Sequence, residues 1–284
     1  MKNFWVRTAS SVVYVILFVG AIYAAKLLHN ELLGGLILTA FLLFVTIGGT
    51  FEFYRMMRLK GVEPIAWLGY LVSATVCIYQ SLQTVYMDSS DFIAVLSTVM
   101  ILSGVVVMLA VPVSVMLKLW GHSENPFADV AVTVLPALYI ALPMGLMAVV
   151  NEFELLMIVV IMVWVNDACA YMGGSLMGKH KLWQRHSPGK TWEGCICGLV
   201  CCVLVGVYVG PFFNPRVPFY GWIVLSLICS VIGTLGDLAE SMLKRSVGVK
   251  DSGNIMPGHG GFLDRFDSLL MIMPFVMIFS SLFL

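Results

Sequence analysis

From Phe219 to Leu284 the chain reads FYGWIVLSLICSVIGTLGDLAESMLKRSVGVKDSGNIMPGHGGFLDRFDSLLMIMPFVMIFSSLFL: an apolar run at 219–240, a polar block from Ser241 to Asp267, and a second apolar run at 267–284. A stretch of about 20 apolar residues is the length of a helix that crosses a bilayer. The polar block is therefore predicted to be held between two membrane helices. Working outward, similar runs occur at 8–25, 31–51, 65–86, 92–117, 130–150, 153–172 and 194–213. The chain is 60% hydrophobic and 11% charged, against roughly 25% charged in a soluble domain. These residues cannot clothe a water-soluble surface, and the expected fold is an all-α polytopic membrane protein of about nine transmembrane helices. Residues 1–150 form the N-terminal transmembrane helices and 151–284 a C-terminal catalytic region, in one continuous membrane domain.

Sidedness follows from the cations, because cytoplasmic loops are enriched in Lys and Arg. With the N-terminus cytoplasmic and nine crossings, Lys2, Arg7, Arg55, Arg58, Lys60, Lys118, Lys179, Lys181, Arg185, Lys190, Lys244, Arg245, Lys250 and Arg265 all fall inside, leaving Lys26 and Arg216 outside. The C-terminus then lies on the opposite side. The net charge is zero, which gives no reason to expect a nucleic-acid partner. The seven cysteines lie in or beside apolar segments without zinc-ligand spacing, and read as packing residues. Lys2 and Arg7 precede a long apolar run that a second soon follows, so the first helix is expected to be retained.

The chemistry is expected in two cytoplasmic loops. In the C-terminal one, Asp237 and Glu240 stand three apart on one helical face, and Asp264 and Asp267 repeat that spacing at the start of the last helix. Carboxylates at membrane helix ends are expensive unless a cation or a cavity compensates. Magnesium commonly takes only one or two protein carboxylates and completes its shell with water and phosphate oxygens. Lys244, Arg245, Lys250 and Arg265 supply cations for a phosphorylated ligand, and His259-Gly260-Gly261 would let backbone N–H groups approach it closely.

The earlier loop carries Asp167 late in an apolar run, then Ser187-Pro188-Gly189-Lys190-Thr191. Pro188 suits the first turn of a helix, and the hydroxyls and the amine can donate to phosphate near its positive end. An acid such as Asp167 inside a span is a functional candidate with a cationic partner, Lys190 or a metal. Glu52 and Arg55, at helical spacing, are expected to pair with each other. His122, His180 and His186 read as ordinary loop residues.

Together the two loops resemble the CDP-diacylglycerol synthase (phosphatidate cytidylyltransferase) family. The resemblance runs from Asn166 to Ser268, through Asp167-x-x-Ala170-Tyr171, Ser187-Pro188-x-Lys190-Thr191-Trp192-x-Gly194, Gly236-Asp237-Leu238-x-Glu240-Ser241, Lys244-Arg245, Lys250-Asp251, His259-Gly260-Gly261 and Asp264-Arg265-x-Asp267. Residues 1 to about 150 match only as hydrophobic helices, with a Glu-aromatic step at Phe51-Glu52-Phe53. The resemblance implies transfer of a cytidylyl group from CTP to phosphatidic acid, releasing pyrophosphate and leaving CDP-diacylglycerol in the bilayer. It further implies Mg²⁺ on Asp237 and Asp264 with Asp267 and Glu240 close by. Phosphate contacts would come from Lys244, Arg245, Lys250, Arg265, Ser187, Lys190, Thr191 and Ser241, with His259, Gly260, Gly261 and Asp167 in the same pocket. K⁺ as a second ion, a homodimer, and a bacterial inner membrane with the site facing the cytoplasm complete the expectation.

Two other readings stand beside it. A CTP-dependent polyprenol kinase would need a general base for a neutral hydroxyl acceptor and fewer cations. A transporter would use Asp167, Asp237 and Glu240 as an ion path, but would not explain the glycines and clustered cations.

Overall fold

In a computed structural model, which describes residues 2–85, 90–150, 152–253, 255 and 260–284, the chain is predominantly helical. The helical runs are α1 (Lys2–Leu28), α2 (Glu31–Arg58), α3 (Ala66–Val85), α4 (Ser90–Leu119), α5 (Pro126–Val150), α6 (Phe153–Met177), α7 (Trp192–Tyr208, followed by a short turn at Gly210–Phe213), α8 (Phe219–Ser246) and α9 (Leu263–Phe283). Runs α5 and α8 each contain one π-helical turn, at Ala137–Ala141 and Ile228–Ile232.

Among the described residues, seven helices are long and apolar enough to cross a membrane: Leu32–Arg58, Ile101–Leu119, Pro126–Val150, Phe153–Met177, Trp192–Phe213, Phe219–Ser246 and Leu263–Phe283. A shorter apolar helix covers Val12–Leu28. The α3 run is not among the seven, for it carries Tyr70, Ser73, Thr75, Tyr79, Gln80 and Ser81.

Two ends differ from the expected bounds in a way that matters for the site. Helix α8 continues past residue 240 to Ser246, so Lys244 and Arg245 are helical rather than in a loop. Helix α9 starts at Leu263, which puts Asp264 inside its first turn. Between α6 and α7 lies a small antiparallel hairpin, β1 (Lys181–Trp183) with β2 (Ser187–Thr191), in which Lys181 faces Thr191 and Trp183 faces Ser187. Pro188 therefore lies in a strand, and the following helix opens only at Trp192.

The chain forms two compact units: Met1–Asn151 with Asp251–Asp264, and Glu152–Lys250 with Arg265–Leu284. The core of the first holds Phe18, Leu42, Phe53, Tyr54, Val72 and Met144. There Asp129 of α5, 1% exposed, pairs with Lys118 at 2.6 Å and accepts from Ser123 Oγ and the Glu63 backbone N–H. Thr133 Oγ1 accepts from Ile65 N, and Tyr54 Oη donates to Thr133 O at 2.7 Å. These bonds pin the α2–α3 connection to the start of α5. The second unit is built around Ile158, Val159, Cys202, Trp222, Leu225 and Ile272.

Candidate active site

In the second unit, small residues set the geometry. A Cβ on Gly194 at the start of α7 would lie 2.6 Å from Ala170 O of α6, so only glycine allows the two helices to touch backbone to backbone there. That contact brings the hairpin between them to a fixed place. Thr191, buried, is the N-cap of α7: its Oγ1 accepts from Gly194 N at 3.2 Å. This is the geometry by which Ser, Thr, Asp or Asn satisfies an orphan N–H at a helix start. Lys190 precedes it on β2 and reaches across to α8, where its Nζ pairs with Asp237 Oδ2. Asp237 Oδ1 accepts a longer bond, 3.3 Å, from Ser241 Oγ.

A second close approach joins α8 to α9. A Cβ on Gly236 would meet Asp267 O at 2.7 Å and Ser268 Cα at 3.0 Å. Asp237, next in sequence, is thereby brought near enough to Asp267 for their charges to interact, and Asp167 of α6 interacts with both. Asp237 and Asp167 both interact with Lys190, and Asp267 interacts with those two carboxylates and with Lys244. One turn further along α8, Glu240, fully buried, receives Lys244 Nζ at 2.9 Å. Asn166 accepts from Ser230 Oγ at 2.7 Å and lies beside Asp167. At the end of α8, Arg245 Nη1 donates to Val249 O at 2.9 Å and closes the turn after the helix. Lys250 is exposed. Arg265 and Asp267, both partly buried, lie in the first turn of α9, and Ser187 opens β2.

Like charges gathered at the level of a membrane helix are unfavourable unless a cation is shared among them. Among the described residues, no group of three or more His, Cys, Asp or Glu side chains could hold a metal ion by itself.

In the first unit, Ser252 and the residues from Gly261 to Asp264 are organised by two carboxylates. Asp264 Oδ2 accepts from Ser252 N (2.9 Å), Ser252 Oγ (2.9 Å) and Gly261 N (2.8 Å). Glu52, 1% exposed near the end of α2, accepts from Phe262 N (2.9 Å) and Leu263 N (3.0 Å) and lies 2.9 Å from Ser252 Oγ, whose single proton it shares with Asp264. It is not turned to Arg55 as its spacing suggested, because the N–H groups that open α9 offer a buried carboxylate a better partner. Gly260 has φ +80°, and a Cβ there would meet Asp264 Oδ2 at 2.4 Å. The groups that approach Gly260 and Gly261 most closely are thus the protein's own carboxylates. His259 lies outside the described residues.

Sequence reasoning missed the part played by Glu52, and with it Ser252 and Ser230. Glu52 carried a signal, as an acid late in an apolar run. The two serines carried none.

A model of the cytidylyltransferase family matches residues 5–283. A protein of Staphylococcus epidermidis named phosphatidate cytidylyltransferase is 32% identical over 273 residues, 95% of this chain and 96% of that protein. Proteins of the same name from Staphylococcus saprophyticus and Staphylococcus aureus are 48% and 52% identical over 114 and 118 residues. Those two matches span 40% of this chain and 44% of each relative.

Proposed function

The chain belongs to the cytidylyltransferase family, and from that premise we propose that it is a phosphatidate cytidylyltransferase, converting CTP and phosphatidic acid to CDP-diacylglycerol and pyrophosphate in phospholipid biosynthesis. The observation that carries this reading is the meeting of Lys190 with Asp237, beside Asp167 and Asp267, where a hairpin and three helices converge. A phosphate-binding cation and metal-binding carboxylates at one point are what a transfer between two anions requires.

The nucleophile is a phosphate oxygen of phosphatidic acid, ionised at neutral pH, so no strong general base is needed. It bonds to the α-phosphorus of CTP as the bond from that phosphorus to the bridging oxygen breaks, and the electron pair leaves with pyrophosphate. The barrier lies in bringing the two anions together, and fixed cations lower it. Lys190 and Ser187 contact phosphate oxygens. Thr191 keeps its hydroxyl proton to donate, since its oxygen is an acceptor toward Gly194 N. Lys244, Arg245, Lys250 and Arg265 hold triphosphate and lipid head group, and Ser241 orients Asp237.

We assign Mg²⁺ to Asp237 and Asp264, with Asp267 and Glu240 nearby. Support for Asp237 comes from its carboxylate neighbours, and for Asp264 from the three donors that fix its Oδ2. When bound, the ion neutralises charge on the triphosphate and on the departing pyrophosphate. K⁺ as a second ion and a homodimer belong to the same reading. So do nine crossings in a bacterial inner membrane, with the N-terminus and the site at the cytoplasmic face and the C-terminus opposite.

The test is purified protein with CTP, phosphatidic acid and Mg²⁺. Pyrophosphate release with α-label entering lipid is the expected result. Label from the γ-position entering lipid would make the protein a kinase, and folded protein that releases no pyrophosphate would end the synthase reading.

A further inference from the structure

Glu52 is a buried carboxylate for which the reaction proposed above has no use, yet Ser252, Gly253, Gly261, Phe262 and Leu263 all pack on it. On α2, Phe44, Gly48 and Glu52 follow one another at four-residue intervals and so share a face. Phe262 occupies that face: its ring meets Phe44 edge-on at 5.2 Å between centroids, and lies where a Cβ on Gly48 would be, at 2.4 Å. Glu52 then receives the N–H groups of Phe262 and Leu263, one on each oxygen. Cβ atoms on Gly253 and Gly261 would lie 2.3 Å and 2.2 Å from Glu52 Oε1, so both glycines close directly over the carboxylate. Among the described residues no cation pairs with it; its partners are two backbone N–H groups and one hydroxyl.

Ser252 connects this carboxylate to the next. Its Oγ lies 2.9 Å from both Glu52 Oε2 and Asp264 Oδ2, and its own N–H donates to Asp264. Gly261, packed over Glu52, gives its N–H to Asp264 as well. Among the described residues, Ser252 and Gly261, which donate to Asp264 Oδ2, are thus both seated on Glu52, through a hydroxyl bond or through glycine contact.

We propose that Glu52 is a positioning residue for the transferase reaction, holding the start of α9 together with Ser252, Gly253 and Gly261 so that the Asp264 carboxylate is aimed for its metal. This rests on the reading of Asp264 as a magnesium ligand. Removing the charge and one acceptor, as in Glu52→Gln, turns an amide NH₂ toward a backbone N–H and loosens Asp264 without touching it.

The experiment compares wild type, Glu52→Gln, Glu52→Asp and Ser252→Ala in detergent by amide hydrogen exchange, with and without Mg²⁺ alone, and by rate against Mg²⁺ concentration. In Glu52→Gln, exchange should quicken at Phe262 and Leu263 and also at Ser252 and Gly261, whose N–H groups bond Asp264 and not Glu52. The Mg²⁺ concentration for half-maximal rate should rise at least tenfold, with Glu52→Asp recovering part of it. Ser252→Ala, which leaves the bonds from α9 to Glu52 in place, should give a smaller shift in the same direction, and decides the matter should Glu52→Gln fail to fold. Unchanged exchange at Ser252 and Gly261 together with an unchanged Mg²⁺ dependence would overturn the proposal. A wild type inactive with CTP and phosphatidic acid would instead remove the transferase reading, and Mg²⁺-induced protection at Ser252 and Gly261 that is absent from the Gln variant would still report on Glu52.

Discussion

Lys190 Nζ lies 2.5 Å from Asp237 Oδ2, joining a strand of the hairpin between α6 and α7 to α8, 47 positions further along the chain. Both side chains are partly exposed, at 24% and 32%. An ion pair so placed contributes only about 0–1 kcal/mol to stability.

Lys190→Ala is thus expected to leave the melting temperature within a few degrees of wild type while lowering kcat/KM for CTP by about 10²-fold or more, on the proposal that the amine binds phosphate. Thermal unfolding in detergent and a pyrophosphate-release assay on the same preparation check the two halves. A large fall in melting temperature would mean that the pair is structural.

Gly236→Leu places a side chain against the backbone of Asp267 and Ser268, which cannot swing aside. Overpacking of this kind costs about 1–3 kcal/mol. It should also separate Asp237 from Asp267, so activity is expected to fall further than the lost stability accounts for. Comparing turnover per folded molecule with melting temperature tests this.

Asp264→Asn should abolish turnover with insertion into the membrane intact. The amide can replace only part of what Asp264 Oδ2 accepts from Ser252 and Gly261, and a buried group left unpaired costs about 1–3 kcal/mol. Amide exchange over 252–261 should therefore quicken as well. An Asp264→Asn protein with wild-type turnover would remove it from the metal assignment.

Asp129→Ala is the contrasting case. It strips the carboxylate from Lys118, which keeps only its bond to Glu63 O among those described, and the acceptor from Ser123 and Glu63 N in the first unit. Breaking a buried pair from one side costs about 3–5 kcal/mol. The expected outcome is poor recovery of folded protein, with near-normal turnover in whatever fraction folds.

Addition of EDTA to the active enzyme is expected to abolish pyrophosphate release, and excess Mg²⁺ to restore it. Release that persists in EDTA would discard the metal assignment.

The membrane helices and the candidate site residues stand out in the sequence for different reasons. Apolar runs announce spanning helices because a bilayer demands them, and Asp237, Lys190 and Asp264 stood out as charged residues at or beside helix ends. The hairpin was not legible: strands of three and five residues containing Pro188 and Gly189 show no alternation to read. The extension of α8 to Ser246 was hidden by its polarity, since hydropathy marks where a helix leaves lipid and not where it ends. Glu52 was assigned to Arg55 because the nearest opposite charge along a helix is the only partner that a local reading can see. Its actual partners lie 210 and 211 residues away.

That separation has a consequence for how the protein is made. At about 5–20 residues per second, the ribosome takes on the order of ten to forty seconds to go from Glu52 to Leu263. During that interval α2 is in place with the carboxylate still waiting for the N–H groups that will receive it. The first unit is thus finished last, when the opening turn of the final helix emerges. Nascent chains stopped before residue 262 should carry an unsealed α2 and be recognised by membrane quality control even though every helix of that unit up to Val150 has been synthesised.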